Sequence, residues 1–296
     1  PGLIDVMKLT AKGDHTCAID RAGRLRCWGK ASAGQLGDGR VSTNSNPSRV
    51  NRTSDATSLA GGDEQVCIVT NDDLVRCWGG NSNGQLGDGS RSPSNIPVQV
   101  GGVVRSDFGG SPIFMAHEDA TCSATTFSDS DQVACWGRYA DGLSTQSRAI
   151  ASPLSDAFSG VSRLTFAISH GCMVQNGAIK CWGSNSNGAL GRVGGNSATP
   201  IPTSLNYTGV DVSAHYTTSC GIFSVPQAGN HVYCWGSRNN YLLGDGSRVG
   251  TSATPRIVSG TGGASAISVG GSTACSVLSS GLVKCWGNGN STPLGS

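Results

Sequence analysis

Hydrophobic and polar positions in this chain alternate in short runs, which are separated by Gly, Pro, Asn and Asp. Alternation with a period of two is typical of half-buried β-strands, and clusters of those separating residues mark turns. The pattern returns every 46–58 residues, each time with four such runs, and no stretch keeps a helical periodicity. Each period therefore predicts one small antiparallel sheet, and a solenoid of helices is excluded.

The most compact period contains a hairpin whose register follows from its turn. Asn176-Gly177 is a strong signal for a two-residue type I′ turn, because both central residues of that turn have positive φ. A turn centred there pairs Val174 with Ile179 and places Cys172 directly opposite Cys181. Opposed residues in antiparallel strands have Cα atoms about 4.5–5.5 Å apart, a distance that a disulfide spans. The register therefore predicts a disulfide across the hairpin.

Every period carries the same pair of cysteines, and the second one always begins the triplet Cys-Trp-Gly. The triplets lie at 27–29, 77–79, 135–137, 181–183, 234–236 and 285–287. The predicted bridges are Cys17–Cys27, Cys67–Cys77, Cys122–Cys135, Cys172–Cys181, Cys220–Cys234 and Cys275–Cys285. The Cys-x-x-Cys and Cys/His spacings of zinc sites do not occur in the sequence. Since disulfides persist in oxidising compartments, the pairs predict a secreted or cell-surface protein.

Two residues before each second cysteine the chain has an apolar residue, which shares the face of that cysteine. These residues are Leu25, Val75, Val133, Ile179, Val232 and Val283. Side chains two positions apart on a strand point to the same side of the sheet. We therefore expect all six to be buried.

The repeats predict one domain, residues 1–296, folded as an all-β, six-bladed β-propeller of four-stranded antiparallel blades with one disulfide in each blade. A Leu-Gly turn follows each Trp-Gly, although it has decayed in the third period, and a short proline-led strand comes next, as at Pro47, Pro97 and Pro255. In the last period the sequence given ends at Leu294-Gly295-Ser296, before that strand is due. Pro1–Ile4 aligns with Pro47–Val50, so the N-terminal segment is expected to supply the fourth strand of the last blade and close the ring. Pro1–Asp5 lacks the pattern of a signal peptide, which predicts a processed or trimmed chain.

Charge and hydropathy exclude two classes of partner. The formal net charge is +2, from 21 basic and 19 acidic residues, so we expect neither nucleic-acid binding nor a polybasic membrane patch. No apolar run approaches the roughly 18 residues that a membrane span needs, so no membrane insertion is expected. Asn51, Asn206 and Asn290 each begin a glycosylation triplet and are candidate N-glycosylation sites.

Three patterns suggest chemistry but have simpler explanations. Gly80–Gly84 matches a nucleophile elbow, yet no helix follows it and it is a copy of the repeat turn. Gly-Asp-Gly turns resemble calcium loops but lack several oxygen ligands at fixed spacing; their aspartates are Asp38, Asp88 and Asp245. His15 and His170 occupy a position that Gln, Ala or Thr fills in other periods, which indicates packing. We expect no enzyme, no metal site and no cofactor.

The repeat resembles a known family. Gly13, Asp14, His15 and Cys17, then the hairpin, Cys-Trp-Gly and the turn of residues 81–89, look like the regulator of chromosome condensation repeat. The form with two cysteines is similar to repeats of Crinkly-type plant receptor kinase ectodomains and of secreted bacterial proteins. The resemblance implies a β-propeller, usually of seven blades, that serves as a protein-binding disc. The nuclear member promotes nucleotide exchange on a small GTPase, a role that disulfides and balanced charge argue against.

We therefore expect a non-enzymatic binding module that engages an extracellular protein or glycan through one face of the propeller. The third and fifth periods have irregular loops, which in repeat proteins often carry binding, although simple loop drift also accounts for them. The candidate binding residues are Phe108, Phe114, Tyr139 and Tyr241. The alternative is a structural subunit of an extracellular filament or surface assembly, in which Pro1–Ile4 completes the last blade of a neighbouring copy.

Overall fold

The computed structural model describes residues 4–51, 53, 55–72, 74–101, 114–117, 119–127, 130–140, 145–153, 160–167, 169–238 and 241–288. This part of the chain contains 23 β-strands and a 3₁₀ turn at Ser186–Gly188. It divides into two compact units, one of residues 1–139 and 146–159 and the other of residues 140–145 and 160–296.

The first unit holds three four-stranded antiparallel sheets, in which the strands are neighbours in chain order. The first blade comprises β1 (Val6–Lys12), β2 (His15–Asp20), β3 (Leu25–Gly29) and β4 (Asn44–Arg49). The second blade comprises β5 (Ala56–Gly61), β6 (Gln65–Thr70), β7 (Val75–Gly79) and β8 (Ser94–Gln99). The third blade comprises β9 (Phe114–His117), β10 (Ala120–Phe127), β11 (Ser130–Ala140) and β12 (Thr145–Pro153).

The second unit holds the remaining three sheets, built in the same order. The fourth blade comprises β13 (Val161–Phe166), β14 (His170–Gln175), β15 (Ala178–Gly183) and β16 (Ser197–Pro202). The fifth blade comprises β17 (Thr208–His215), β18 (Thr218–Val225), β19 (Gly229–Ser237) and β20 (Thr251–Ile257). The sixth blade comprises β21 (Ala264–Val269), β22 (Thr273–Leu278) and β23 (Val283–Gly287). The predicted six-bladed, all-β propeller fold is confirmed, with three strands described in the last blade.

All six predicted disulfides are present, each within its own blade. The bridged Cα atoms are 4.0–4.2 Å apart, just below the expected distance between opposed residues. The compact hairpin has the predicted register, with Val174 opposite Ile179 and Cys172 opposite Cys181. Its turn residues Asn176 and Gly177 have φ of 50° and 75°, as a type I′ turn requires.

Within each unit, the tryptophan of one blade contacts the Leu-Gly turn of the preceding blade. The Trp78 indole N–H of the second blade donates to the Gln35 carbonyl of the first, at 3.0 Å. The Trp235 indole makes the same bond to Ala189, at 2.8 Å. A Cβ on Gly37 would lie 2.6 Å from Trp78 Nε1, so only glycine lets the turn approach the ring. Cys-Trp-Gly and Leu-Gly are therefore the two halves of one contact between blades.

The glycine of Cys-Trp-Gly is required for a different reason. Gly79 has φ of 106°, a region that favours glycine, and an added Cβ would lie 2.1 Å from the Glu64 carbonyl oxygen. Gly236 has φ of 97° and would bring a Cβ to 2.1 Å from the Thr217 carbonyl oxygen. The third strand of each blade thus ends against the backbone of the turn that precedes the second strand.

One predicted core position is wrong. The apolar residue two positions before the second cysteine is at most 2 % exposed in five blades, but Val283 of the last blade is 61 % exposed. In the first blade the equivalent Leu25 packs in one cluster with Val50, which directly follows the fourth strand. In the sixth blade the described strands end at β23, so this cover is not part of the described sheet.

The fourth strands also begin earlier than the proline-led pattern predicts. β4 starts three residues before Pro47, because an edge strand can accommodate a proline that donates no hydrogen bond. Residues 1–3 lie outside the described part, and Ile4 belongs to no strand. Closure of the ring by the N-terminal segment therefore stays a prediction, as does the organisation of residues 1–296 as a single domain.

Candidate binding surface on the fifth blade

Two segments of every blade meet at the same edge of its sheet. The turn between the first and second strands ends where the third strand ends, since His15 pairs with Gly29 and Thr218 pairs with Gly236. The loop after Trp-Gly starts from that point. We call this edge, formed by the turn and the loop together, the loop edge of the blade.

Tyr241 stands on the loop edge of the fifth blade at a position that is glycine in three other blades. Gly34, Gly84 and Gly188 occupy it with φ of 77–85°, and Tyr241 has φ of 62°. The turn itself is unchanged: Tyr241 N–H donates to the Arg238 carbonyl at 3.0 Å, as Gly84 N–H does to that of Asn81 at 2.9 Å. Tyr241 is 42 % exposed, so it keeps a glycine conformation while presenting its ring to solvent.

Tyr216, in the turn of the same edge, also has a left-handed backbone. It has φ of 48° and corresponds to Gly13 of the first blade, whose φ is 52°. Its ring is 52 % exposed and lies edge-on to His215, with ring centroids 4.2 Å apart. A left-handed backbone costs an L-residue roughly 1–2 kcal/mol relative to its normal conformation. Two exposed tyrosines on one edge thus hold conformations that oppose folding.

Contacts with neighbouring groups fix the backbone around both tyrosines. His170 is fully buried, and its Nε2 lies 2.7 Å from Ser219 Oγ. Burial lowers the pKa of His170 to about 4, and the backbone of Tyr216 opposes that shift through a hydrogen bond. The loop of Tyr241 is held by an ion pair of Arg238 and Asp245 at 2.9 Å. The Trp286 indole of the sixth blade donates to the Leu242 carbonyl of the same loop, at 2.9 Å.

The chemistry of the loop edge differs between the two units. The residue three positions before the first cysteine is acidic in the first unit and carries a hydroxyl in the second: Asp14, Glu64 and Asp119, against Ser169, Thr217 and Ser272. Burial raises the pKa of the nearby Asp63 carboxyl; Lys12 opposes this, and Asp119 and Asp14 add to it. The turns of the second unit therefore carry hydroxyl groups where the turns of the first unit carry carboxylates.

The structure places the predicted binding residues unequally. Phe108 lies outside the described residues. Phe114 begins β9 and Tyr139 lies in β11, but the side chains of both lie outside the described part. Tyr241 is the candidate whose side chain is described, so the grouping of the four as one surface stays a prediction.

Two of the three candidate glycosylation sites lie on described surface. Asn51 is exposed in a turn, and Asn206 is exposed in the loop before β17. Asn290 lies outside the described residues. Among the described residues, no group of three or more His, Cys, Asp and Glu side chains is placed to hold a metal ion. No helix in the described part is long and apolar enough to cross a membrane.

Tyr216 is the surface residue that the sequence analysis did not single out. The sequence carries little signal for it: four residues before the first cysteine the periods have Gly13, Asp63, Glu118, Ile168, Tyr216 and Gly271. The positive φ of Tyr216, shared with Gly13, is what marks strain at this position.

Comparisons with known proteins agree with the geometry. Models of the regulator of chromosome condensation repeat match residues 8–35, 56–85 and 72–111. A search of curated proteins found no match. Yeast RCC1 (Prp20), solved in complex with Kap60, superposes with a TM-score of 0.76 at 16% identity, over 96% of this chain and 70% of that one.

Two further solved structures are similar. Human WBSCR16 gives a TM-score of 0.71 at 17% identity, over 89% of this chain and 69% of that one. The ectodomain of the Physcomitrella patens receptor kinase CR4 gives 0.60 at 18% identity, over 98% of this chain and 65% of that one. These likenesses define the class, a β-propeller. Residues 8–35 and 56–111 match the regulator of chromosome condensation repeat, and each of the six blades carries one disulfide.

Proposed function

We propose that this protein is a non-enzymatic, secreted or cell-surface binding module, which engages a partner protein through the loop edge of the fifth blade. The observation that carries the proposal is the pair Tyr216 and Tyr241, both exposed and both in glycine conformations. Tyrosine is enriched at the energetic centres of protein interfaces. A residue that costs stability without burying its own ring is best explained by a contact outside the chain.

The extracellular setting is supported by the cysteines. All twelve are paired in the structure, and none is free. Six intra-blade bridges indicate an oxidising compartment, since reducing compartments keep thiols reduced. A plant receptor ectodomain among the similar structures is compatible with this setting.

Arrays of purified ectodomains and of glycans test the function directly. We expect the biotinylated protein to bind one or more ectodomains, with binding that persists in 0.5 M salt, because salt screens charge contacts and does not weaken the apolar contacts of tyrosine rings. The reduced and alkylated protein is the control for folding. Absence of binding on both arrays would contradict a binding module.

A second candidate function, a subunit of an extracellular assembly, is favoured by the last blade. Its strand β23 presents Val283, 61 % exposed, and next to it Leu282, 62 % exposed. Val277 on β22 is 39 % exposed, although its equivalents Ile19 and Val174 are buried. Exposed apolar strand edges pair readily with strands of other molecules. In this assembly Pro1–Ile4 of one copy would complete the last blade of the next.

Electron microscopy and sedimentation at increasing protein concentration test the assembly. We expect chains of particles for the wild type and single particles for Val283→Lys, because a charge on an edge strand opposes pairing. Val193→Lys is the matched control, since Val193 is 79 % exposed but lies in a loop. Single particles of the wild type at every concentration would remove this candidate.

A further inference from the structure

We infer that a cavity on the loop edge of the second blade binds a lysine or arginine side chain of a partner protein, and that the Glu64 carboxylate pairs with its charge. The cavity has a volume of about 350 Å³. The residues that line it all belong to the first unit, and all of them are described. This site goes beyond the proposed function, because it does not involve the tyrosines of the fifth blade.

One backbone hydrogen bond defines the same pair of positions on the loop edge of all six blades. The residue after Trp-Gly donates its N–H to the carbonyl of the residue three positions before the first cysteine, at 2.8–3.0 Å. The side chains of the two residues therefore start from equivalent places in each blade. The pairs, with the donor first, are Lys30–Asp14, Gly80–Glu64, Arg138–Asp119, Ser184–Ser169, Ser237–Thr217 and Asn288–Ser272.

In five blades these two positions carry an acid and a base together, or neither of them. In the first blade Lys30 Nζ lies 3.4 Å from Asp14 Oδ2, and in the third blade an Arg138 guanidinium nitrogen lies 2.8 Å from Asp119 Oδ2. In the three blades of the second unit both positions are uncharged. The second blade differs from all of these, because it has the acid, Glu64, and a glycine in place of the base.

A second donor to the acid is missing as well. Asp119 also accepts hydrogen bonds from Asn83 Nδ2 at 3.0 Å and from Gln85 Nε2 at 3.3 Å, both in the loop of the preceding blade. Ala33 is the equivalent of Asn83 in the first blade, since each donates its backbone N–H to the glutamine two positions on. Among the described residues, no side chain pairs with the Glu64 carboxylate.

The cavity lies beside the two residues that replace the missing partners. Ala33, Gly80 and Glu64 all line it. A Cβ on Gly80 would lie 3.0 Å from Glu64 Oε2, so the carboxylate lies over the glycine. Ala33 and Pro93 offer apolar surface to the methylene stem of a lysine or arginine. A basic side chain from outside can therefore reach the carboxylate along this wall.

The basic residue in the wall is bonded elsewhere. Arg91 Nη1 donates to the Ser82 carbonyl at 3.2 Å and to Ser147 Oγ at 2.9 Å, and Nη2 donates to the Ser147 carbonyl at 3.1 Å. Its guanidinium is thus directed at β12, the strand that contains Ser147. The amide of Asn81, which is buried in the wall, is hydrogen-bonded within its own loop. Glu64 is therefore the charged group of the wall that is left for a ligand.

The chain itself shows which chemistry fits this edge. In the first and third blades the acid is paired with a lysine and an arginine side chain, respectively. A carboxylate binds a guanidinium through two parallel hydrogen bonds and an ammonium as a point charge. Glu64 is exposed, so a side chain of another protein can supply the base that the second blade lacks.

Titration of the isotope-labelled protein with a short peptide, followed by NMR, tests the inference. The probe is acetyl-Ala-Ala-Arg-Ala-Ala-amide, and the backbone amide signals of Ala33, Gly80 and Ser82 report on the cavity. We expect saturable shifts of these signals, binding that weakens as salt is raised, and an affinity at least about tenfold lower for Glu64→Gln. Asp14→Asn is the matched control and should leave the affinity unchanged, because Asp14 has its own base.

A second variant fills the site from within the blade. Gly80→Lys supplies the base that the first blade has, and it should abolish binding of the peptide. The φ of Gly80 lies outside the left-handed region, and the nearest atoms to its added Cβ belong to the flexible Glu64 side chain, so the variant should fold. If Glu64→Gln does not fold, Gly80→Lys decides the question by itself.

The other outcomes each overturn the inference. They are equal affinities of the wild type, Glu64→Gln and Gly80→Lys, or the absence of saturable shifts at the three amides. A peptide with citrulline in place of arginine keeps the shape and lacks the charge, so equal binding of this peptide would also overturn it. Binding of agmatine without binding of the arginine peptide or its lysine equivalent would overturn a protein as the partner. All these results leave the array test of the proposed function standing, since the variants do not change Tyr216 or Tyr241.

Discussion

Two buried histidines should make this protein lose stability between pH 6.5 and pH 4. His15 is 3 % exposed and His170 is fully buried. Burial lowers the pKa of each to about 4 from an ordinary 6.5, with Asp14 opposing the shift at His15. Both rings are therefore neutral in the folded protein at pH values where the unfolded chain already protonates them.

The size of the effect follows from the pKa difference. One unit corresponds to 1.36 kcal/mol, so each histidine accounts for roughly 3 kcal/mol between pH 6.5 and pH 4. The unfolded chain binds more protons in this interval, so the free energy of unfolding decreases as the pH falls. Above pH 6.5 the stabilisation is complete. The pKa values of the Asp20 and Asp72 carboxyls are lowered as well. Their protonation therefore lowers the free energy of unfolding further, at pH values below the ordinary carboxyl range.

The assay is urea denaturation of the disulfide-intact protein at several pH values, followed by tryptophan fluorescence. The matched variant is His15→Gln/His170→Gln, because Gln65 occupies the equivalent position in the second blade, where its Nε2 donates to the Ala120 carbonyl. We expect the difference in unfolding free energy between pH 7 and pH 4.5 to shrink by several kcal/mol in this variant. An unchanged pH dependence would refute the assignment of neutral, buried imidazoles.

Three further predictions concern packing. Gly37→Ala should lower the free energy of unfolding in urea by at least about 2 kcal/mol, because its Cβ would meet Trp78. Gly195→Ala, with nothing within 4 Å of its Cβ, should change it by under about 0.5 kcal/mol. Equal effects of the two substitutions would contradict the contact between the Leu-Gly turn and the tryptophan of the next blade. Val66 precedes the first cysteine of the second blade, as Ser219 does in the fifth, so Val66→Thr should give His15 the hydroxyl partner that Ser219 gives His170. A double-mutant cycle of Val66→Thr with His15→Gln should show a coupling free energy of about 0.5–1.5 kcal/mol. Zero coupling would contradict a hydrogen bond between the two side chains. Replacing Cys172 and Cys181 by Ala should lower the unfolding free energy in urea by roughly 3 kcal/mol with the other blades oxidised, and an unchanged value would refute that contribution.

Local rules were enough to predict the repeated unit. The register of the hairpin at Asn176-Gly177 depends on two turn residues and the period of a strand, so it could be read from a few neighbouring positions. The disulfides followed from that register. Burial of Val75 and Ile179 followed from sharing a face with a cysteine.

Contacts between blades could not be read in the same way. The sequence shows that Leu-Gly recurs, but the reason for Gly37 is the Trp78 ring about 40 residues away in the chain, and that pairing exists only after the blades pack. The exposure of Val283 has the same origin, because burial at that position depends on a fourth strand and not on the residue itself. Strand period determines which residues share a face, and the neighbouring elements determine whether that face is covered.

Of the two tyrosines of the candidate surface, one could be predicted from the sequence. Tyr241 was found because its loop departs from the repeat, whereas Tyr216 lies in a turn of ordinary length, at a position that varies among the periods. Its importance depends on a positive φ and on an exposed ring beside Gly271, which are properties of the folded backbone. Comparing the periods position by position shows that this position varies, but does not show which way the ring faces.

Peptide mapping of the unreduced protein by mass spectrometry tests the central claim most directly, which is that each blade is a separate disulfide-closed sheet. We predict six linked peptide pairs, each joining a cysteine to the next one along the chain, from Cys17–Cys27 to Cys275–Cys285, and no free thiol. A linkage between cysteines of different blades, or a population of free thiols, would contradict both the blade architecture and the extracellular setting.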